Sequence, residues 1–428
     1  MSGAADAEER LARDLAFLRR GTLINVIGFG ARNVAPALNI ALAALCPPEL
    51  FGVYVSAQLF ALTFSKLVTA GLDRGLMRHV AARVAGGEGA PAESAEEAIG
   101  AALRRVLLLA VLSVGIALLA LGPPMGALWP ERMGDRGFVL LVLLGIPGYG
   151  VMQLLAGAFD GLRRPEVREL LVYGLVGALA PLLGILSRLA GLPDWGVAAS
   201  LPLATGLGAI GLFVLTRRAF PGLRPLRAGP LPAGMWAFSL PLGFADLVTG
   251  LMLRIDVWMV LALLDAPRAA VYGLMAMLVA GTRSIRQSYD QVIVPVVATL
   301  RPGEDGPALR SVHGYAVHLT TCIQLAIGVL LLFFPVELIS LAGEAYVVQP
   351  ETLGVLLLGN LVTGLLGMSG AILQGFGASR PFLLANLVAI AVNATLNLAL
   401  IPRLGIVGAG LATGAAKHRK SRGFRAAL

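Results

Sequence analysis

Uninterrupted apolar runs of about twenty residues recur along this chain, each long enough at 1.5 Å per residue to cross roughly 30 Å of hydrocarbon. They fall near 22–46, 51–72, 100–122, 137–159, 170–190, 196–216, 235–263, 269–298, 312–337, 351–375 and 381–402, and a twelfth begins near Gly405. A backbone in lipid satisfies its polar groups only as helices or as a closed barrel. Barrel strands alternate in polarity over about ten residues, whereas these runs are continuous and rich in Leu, Ala and Val. The expected fold is therefore an all-α membrane protein of about 12 transmembrane helices. The composition agrees, because 57% of the residues are hydrophobic and only 14% charged, a balance foreign to soluble domains.

The net charge of +9 does not point to nucleic acid, since the arginines sit in short loops and build no basic domain. Alternate loops carry them: Arg74, Arg78 and Arg83; Arg163, Arg164 and Arg168; Arg217, Arg218, Arg224 and Arg227; Arg301 and Arg310; Arg380. By the positive-inside rule these loops and the N-terminus face the cytoplasm. The first apolar run exceeds the apolar core of a signal peptide, so no cleaved signal is expected. Cys46 and Cys322 stand inside or at the ends of apolar runs, which leaves no disulfide framework and no Cys metal site.

An internal repeat is visible. Phe51-Gly-Val-Tyr54 at the start of the second span matches Ala269-Ala-Val-Tyr272 at the start of the eighth. Gly161-Leu-Arg-Arg-Pro165 before the fifth span matches Gly377-Ala-Ser-Arg-Pro381 before the eleventh, and Pro193-Asp-Trp-Gly-Val197 matches Pro402-Arg-Leu-Gly-Ile406. The order and offsets suggest two six-helix bundles of the same orientation, related by an axis along the membrane normal and enclosing a central cavity. The expected division is a cytoplasmic segment 1–21, a bundle 22–216, a linker 217–234 rich in Pro, Gly and Arg, a second bundle 235–416 and a basic tail 417–428.

A charge at the bilayer centre costs about 2.5–3.5 kcal/mol and needs a wet or protein-lined home. Asn25, Arg32 and Asn39 share one face of the first span, as do Lys66, Thr69 and Asp73 at the end of the second. The eighth carries Arg283, Arg286, Gln287 and Asp290 on one face. In the seventh stand Asp246, Arg254 and Asp256, of which Arg254 and Asp256 point to nearly opposite sides. Two readings compete. The charges line a cavity, or they pair internally: Arg286 with Asp290, Lys66 with Asp73, and Asp256 with a neighbouring arginine. The bases outnumber the acids, so Arg32, Arg254, Arg283, Arg286 and Lys66, with Asn25, Asn39 and Gln287, are the candidate binding set for an anionic group, suited to phosphate oxygens. Asp246, Asp256 and Asp290 are candidates for ion coupling or ion pairing. Tyr54 and Tyr272, each at a span start, read as interface anchors.

These residues resemble the oligosaccharide flippase branch of the superfamily that joins polysaccharide exporters, the lipid II flippase and the MATE drug exporters. The resemblance rests on Phe51-Gly-Val-Tyr54 with Gly71-Leu-Asp-Arg74, Ser239-Leu-Pro241 with Leu253-Arg-Ile-Asp256, Ile285-Arg-Gln-Ser288, and Asn393-Ala-Thr-Leu-Asn397 running into Ile401-Pro-Arg-Leu-Gly405. It implies a V-shaped inner-membrane molecule working by alternating access on an undecaprenyl-diphosphate-linked glycan. Arg32, Arg254, Arg283 and Arg286 would then meet the diphosphate, and polysaccharide polymerase and glycosyltransferases would be its pathway partners. One departure stands out: after Gly405 the apolar stretch ends at Ala416, about 18 Å of helix, and Lys417-His-Arg-Lys420 follows. The expectation is a truncated last helix, the alternative a short, oblique one with a basic cytoplasmic end.

A cation-coupled drug exporter of the MATE type is the nearest competitor, but it needs acids where the first span offers Arg32. An integral membrane enzyme of envelope synthesis would need a large extramembrane loop or a carboxylate cluster at one interface. A scramblase or scaffold would not need intramembrane arginines. There is no nucleophile triad, Gly-rich phosphate loop or metal-spaced His cluster, so neither enzymatic activity nor a cofactor is expected.

Overall fold

The structure of the chain, a computed structural model, describes residues 30, 34–85, 94–121, 134–162, 164–224, 229–298, 306–365, 372 and 379–426, with backbone alone for residues 85, 283–298, 306–313, 315, 316, 319, 363, 379–382 and 420–426. All described regular structure is helical. A first bundle contains α1 (Val34–Ala44), α2 (Pro48–Thr69), α3 (Leu72–Ala85), α4 (Ala95–Leu121), α5 (Arg136–Leu143), α6 (Gly145–Gly161), α7 (Val176–Leu189) and α8 (Asp194–Ala219). The second contains α9 (Met235–Leu263), α10 (Ala266–Ala298), α11 (Gly306–Phe333), the short α12 (Pro335–Ser340), α13 (Glu351–Leu365), α14 (Ser379–Leu404) and α15 (Ile406–Ala426).

Local chemistry sets the boundaries. Pro48 opens α2 at a position where the missing N–H costs nothing. The helix closes on Ala70 and Gly71, both at positive φ, and α3 departs from that turn. Ser94 and Glu97 form a reciprocal capping box ahead of α4, at 2.9 and 3.1 Å. Asp135 caps α5 by accepting from the Phe138 N–H at 2.7 Å. Pro147, the third residue of α6, lacks the N–H that would donate back to the end of α5, yet the pair together forms one apolar segment, Arg136–Gly161. Residues Arg168–Leu175 wind as a wider π-helix before α7.

Among the described residues, six segments are long and apolar enough to cross a membrane: Pro48–Thr69, Ala95–Leu121, Arg136–Gly161, Arg168–Leu189, Asp194–Ala219 and Leu383–Leu404. Their burial separates centre from periphery. In α2 67% of the apolar window is buried, in α4 only 22%, with Leu108, Val111 and Leu119 facing outward. α2 is thus the inner helix, packed against α9 and α10 of the other bundle as well as α6 of its own. Lipid tails are as apolar as leucine, so close backbone approach and hydrogen bonding replace hydrophobic burial as the adhesive. A Cβ on Gly52 would overlap the Ala266 carbonyl where α2 meets α10, and one on Gly71 would overlap the Ser239 carbonyl where α3 meets α9.

Each bundle carries the same tie. The Tyr54 hydroxyl of α2 meets Ser200 Oγ of α8 at 3.0 Å, and the Tyr272 hydroxyl of α10 meets Thr413 Oγ1 of α15 at 3.3 Å. Both tyrosines are buried, so they are internal struts and not the interface anchors expected from their place at span starts. Tyr346, after α12, donates its hydroxyl toward the Ala43 and Cys46 carbonyls, each at 3.1 Å, with its ring edge on Phe51. That contact joins the end of α1 to the second bundle.

Two expectations about charged residues are corrected. The stretch with Arg74, Arg78 and Arg83 is no loop but helix α3, released by the positive-φ turn at Ala70-Gly71. Arg168, read as a loop charge, is drawn inward by two carboxylates and is 14% exposed. The apolar part of the last helix ends at Ala416, while the helix itself, α15, continues through the basic residues to Ala426. Eleven residues of the first expected span, 22–46, lie outside the described residues.

Candidate functional site

Polar side chains inside the bundles gather in two clusters and a seam between them. In the first bundle the turn at Gly71 starts α3 with Asp73, while Gln153 and Asp160 stand two turns apart on α6. The π-helical start of the next segment brings Arg168 into their midst. Its Nε donates to Asp160 Oδ2 at 2.6 Å, Nη1 donates to Gln153 Oε1, Nη2 donates to the Gln153 carbonyl at 3.3 Å, and Asp73 lies 3.9 Å away. Asp73 is 3% exposed and Asp160 17%. Gly157 lets α6 approach the Asp73 backbone without an intervening side chain. Lys66, near the end of α2, makes no ion pair with Asp73. Arg168 is the geometric partner instead, because its planar fork reaches carboxylates on two helices at once.

The seam runs along α2, α3 and α9. Near its middle Arg254 Nη1 donates to Thr63 Oγ1 at 2.8 Å, and the Thr63 hydroxyl is oriented by donating to the Leu59 carbonyl at 2.7 Å. One turn further Trp258 Nε1 donates to the Ser56 carbonyl at 3.0 Å. The Trp258 ring lies 5.5 Å from Phe60 and 6.2 Å from Phe64, which stack at 4.0 Å. Toward the other end Arg74 and Asp246 pair at 3.5 Å across the bundles, and Arg78 sits 4.5 Å over the Phe238 ring. Among the described residues no carboxylate lies within ion-pair distance of Arg254.

Asp256, two residues on, faces the other way, into the second bundle. Asn397 Nδ2 donates to its Oδ1 at 2.8 Å and Thr413 Oγ1 approaches its Oδ2 at 2.5 Å. Asn397 Nδ2 also meets Asn393 Oδ1 at 2.9 Å, these two being successive turns of α14. The single Thr413 hydroxyl proton goes to one acceptor, so with Asp256 as that acceptor the Tyr272 hydroxyl donates to Thr413. Asp256, Asn393 and Asn397 are 3%, 1% and 0% exposed. Among the described residues no cation pairs with Asp256, and Asn397 Oδ1 has no hydrogen-bond partner. A smaller knot precedes Arg283: Asn360 Nδ2 donates to Thr282 Oγ1 at 2.8 Å and Gln324 Nε2 to the Thr282 carbonyl at 3.2 Å.

Of the residues singled out from sequence, Asn25 and Arg32 lie outside the described residues. Arg283, Arg286, Gln287 and Asp290 belong to α10, and their side chains likewise lie outside the description. Asn39 is buried and donates to the Ala35 carbonyl at 2.9 Å within its own helix. Lys66 and Arg254 belong to the first cluster and the seam, Asp246 to the seam, and Asp256 to the second cluster. Arg254 and Asp256 do point apart as their spacing requires, and Asp256 pairs with one amide and one hydroxyl in place of the expected arginine, because Arg254 is turned to α2. Sequence reasoning missed Arg168, Asp160 and Gln153, which it left to a loop and a helix end. It also passed over Asn393, Asn397 and Thr413, although two asparagines four apart in an apolar run are themselves a signal.

No protein-family model matches the chain, and no curated protein does. Solved structures do. A multidrug resistance transporter of the MATE family and MOP superfamily, in an inward-facing conformation, superposes with TM-score 0.72 at 16% identity over 93% of both chains. The lipid II flippase MurJ in an inward closed conformation gives 0.69 at 12% identity, over 95% of this chain and 87% of that one. A MOP superfamily transporter from Pyrococcus furiosus, described by the reverse polarity of its binding pocket, gives 0.62 at 16%, over 95% and 93%. The chain is a multi-pass membrane protein with the fold these transporters share.

Proposed function

We propose that this chain is an inner-membrane flippase that moves an anionic lipid-linked glycan, an undecaprenyl-diphosphate oligosaccharide, outward by alternating access between bundles 22–216 and 235–416, joined by the linker 217–234. The observation that carries it is Arg254: a guanidinium well inside α9 reaches across the seam to Thr63, without a carboxylate partner among the described residues. A cation held so is matched by an anion that arrives from outside the chain, and a diphosphate suits its fork. In this reading Arg32, Arg283, Arg286, Lys66, Asn25, Asn39 and Gln287 contribute to the same chamber. Orientation with a cytoplasmic N-terminus follows the loop arginines, and an inside-negative potential adds about 2.3 kcal/mol per charge per 100 mV to outward movement of an anion. Polymerase and glycosyltransferases are the proposed pathway partners.

Asp256 supports a coupling role. A carboxylate this deeply buried is costly without a proton or cation. The Asp256 carboxylate, the Thr413 hydroxyl and Asn393 Oδ1, which shares the Asn397 amide with Asp256, are oxygens of the kind a hard cation takes. The same observation favours the second reading, a cation-coupled drug exporter of the MATE type.

The experiment is translocation in proteoliposomes of a fluorescent undecaprenyl-diphosphate glycan, beside extrusion of a cationic dye. The flippase reading expects glycan movement by the wild type and a fall of about tenfold or more in Arg254→Ala, the size of one charge-assisted hydrogen bond. Normal glycan movement by Arg254→Ala, Arg32→Ala, Arg283→Ala and Arg286→Ala alike overturns the cationic site. Dye extrusion without glycan movement selects the drug-exporter reading.

A further inference from the structure

Bonds that join two helices of one bundle, such as those of Tyr54 and Tyr272, survive a rigid movement of that bundle, whereas bonds between the bundles do not. Among the described residues the cross-bundle side-chain bonds fall at different levels of α2. Arg74 with Asp246 lies just past its end, Arg254 with Thr63 and Trp258 with Ser56 lie along it, and Tyr346 lies at its start. α2 is 22 residues, about 33 Å, long, so Tyr346 and Arg74 tie the bundles at opposite ends.

Tyr346 is the tip of a strap. Glu344–Tyr346 form one 3₁₀ turn, entered through Gly343 at φ 111. Three residues on, Gln349 sits at φ 47, a left-handed conformation that a residue with a Cβ keeps only where its surroundings hold it. They do: its Nε2 donates to the Leu404 carbonyl at 3.3 Å and its Oε1 accepts from the Ile406 N–H at 3.1 Å, across the α14–α15 turn. The base of the strap is therefore fastened to the second bundle. Its tip is seated on the first, where Tyr346 is 2% exposed, its ring edge lies on Phe51, and its hydroxyl faces the Ala43 and Cys46 carbonyls. The end of a helix leaves carbonyls without intrahelical partners, and here a donor from the opposite bundle meets them.

We propose that Tyr346 is the latch of the outer mouth: it is seated between α1 and α2 while that end is closed, and it withdraws with the second bundle each time the bundles part there. This rests on the flippase reading, which supplies the orientation and the alternating access. One phenol proton serving two carbonyls suits a reversible tie, because on opening the hydroxyl and both carbonyls exchange their bonds for water. The alternative is that Tyr346 only props the end of α1.

Two readouts separate a latch from a prop. Trp195 of α8 and Leu404 of α14 are exposed and lie at the same end of the two bundles, where both border pockets that meet at the α9–α10 turn. With both native cysteines replaced by alanine, spin labels on Trp195→Cys and Leu404→Cys report the separation of the bundles in proteoliposomes. Tyr346→Phe, which keeps the ring and loses the hydroxyl, is expected to raise the ratio of long to short distances about fivefold, the worth of one hydrogen bond, and Tyr346→Ala by more. Cys46, 7% exposed beside the latch, is the second probe in a Cys322→Ala background. An anionic, membrane-impermeant thiosulfonate outside right-side-out vesicles is expected to modify it about fivefold faster in Tyr346→Phe. Faster modification with unchanged label distances marks a loosened end of α1 and overturns the latch, as do distances unchanged in both variants. Modification from the opposite side alone overturns its place at the outer mouth. A protein that moves no fluorescent undecaprenyl-diphosphate glycan, yet opens when the hydroxyl is removed, refutes the flippase reading and leaves the latch standing.

Discussion

Asp73 and Asp160 in the first bundle share a guanidinium supplied by the chain itself, whereas Asp256 in the second is met by an amide, a hydroxyl and no cation among the described residues. The architecture around them is alike, down to the buried tyrosine that ties the second span of each bundle to its last helix. The compensation differs. A cluster that carries its own counter-charge has the same energy whatever the solution holds, apart from screening. One that must borrow a counter-charge is linked to the ion or proton it borrows, and so changes stability with the medium. In the proposed flippase such a difference divides the labour, with the second bundle as the one linked to a driving ion.

The largest effect that tests this contrast is cation-dependent stability. Replacing choline by Na⁺ or Li⁺ in detergent is expected to raise the stability of the wild type by about 2.7 kcal/mol once the cation reaches about a hundred times its Kd. Asp256→Asn is expected to erase that dependence. A variant that gains as much from the cation as the wild type would dissolve the contrast. Next in size is Asp160→Ala, which strips Arg168 of its 2.6 Å partner and is expected to cost about 2 kcal/mol, less than a fully buried pair because both groups keep some exposure. Its cost is expected to be the same in choline and in Na⁺, which thermal unfolding in the two salts reads directly.

The sequence made the helices legible because a lipid-crossing segment must be apolar for its whole length, and α2, α4, α8, α9 and α14 fall within a few residues of the runs that announced them. The repeat at Tyr54 and Tyr272 was legible too, though not its purpose, since nothing in a single residue tells a strut from an interface anchor. Asp256 and Arg254 declared themselves as charges in apolar runs. Arg168 did not, because a basic residue a few positions before a span looks like an orientation signal until a π-helical turn rolls it inward. Thr413 was invisible for the opposite reason, since an uncharged polar residue in a span is cheap enough to be ordinary, and Asn393 and Asn397 stood out as a motif without declaring a role.

The tyrosine struts sharpen the comparison at a smaller scale. Tyr54→Phe removes one bond to Ser200, a hydroxyl that also donates to the Val197 carbonyl at 2.7 Å, so the loss is expected to be about 1 kcal/mol. Tyr272→Phe removes a hydroxyl bonded to Thr413, the residue that itself contacts the buried Asp256, so it is expected to cost more and to weaken the Na⁺ response as well. Equal costs with an intact response in both variants would show the two struts to be interchangeable, and Thr413 to be independent of Tyr272.

The smallest effect belongs to the pair that crosses between the bundles. Arg74 and Asp246 are 47% and 31% exposed and 3.5 Å apart, so solvent screens most of their attraction, and a double-mutant cycle is expected to give a coupling of about 0.5 kcal/mol. The backbone contact of Gly71 with Ser239 and Gly243 holds the same junction far more firmly, since any Cβ at Gly71 meets main chain that cannot yield. Salt should therefore abolish the Arg74–Asp246 coupling and leave the junction in place. A coupling that survives at about 2 kcal/mol in high salt would mean that the pair, and not the glycines, latches α3 to α9. The exposed seam would then share the self-contained electrostatics of the first cluster.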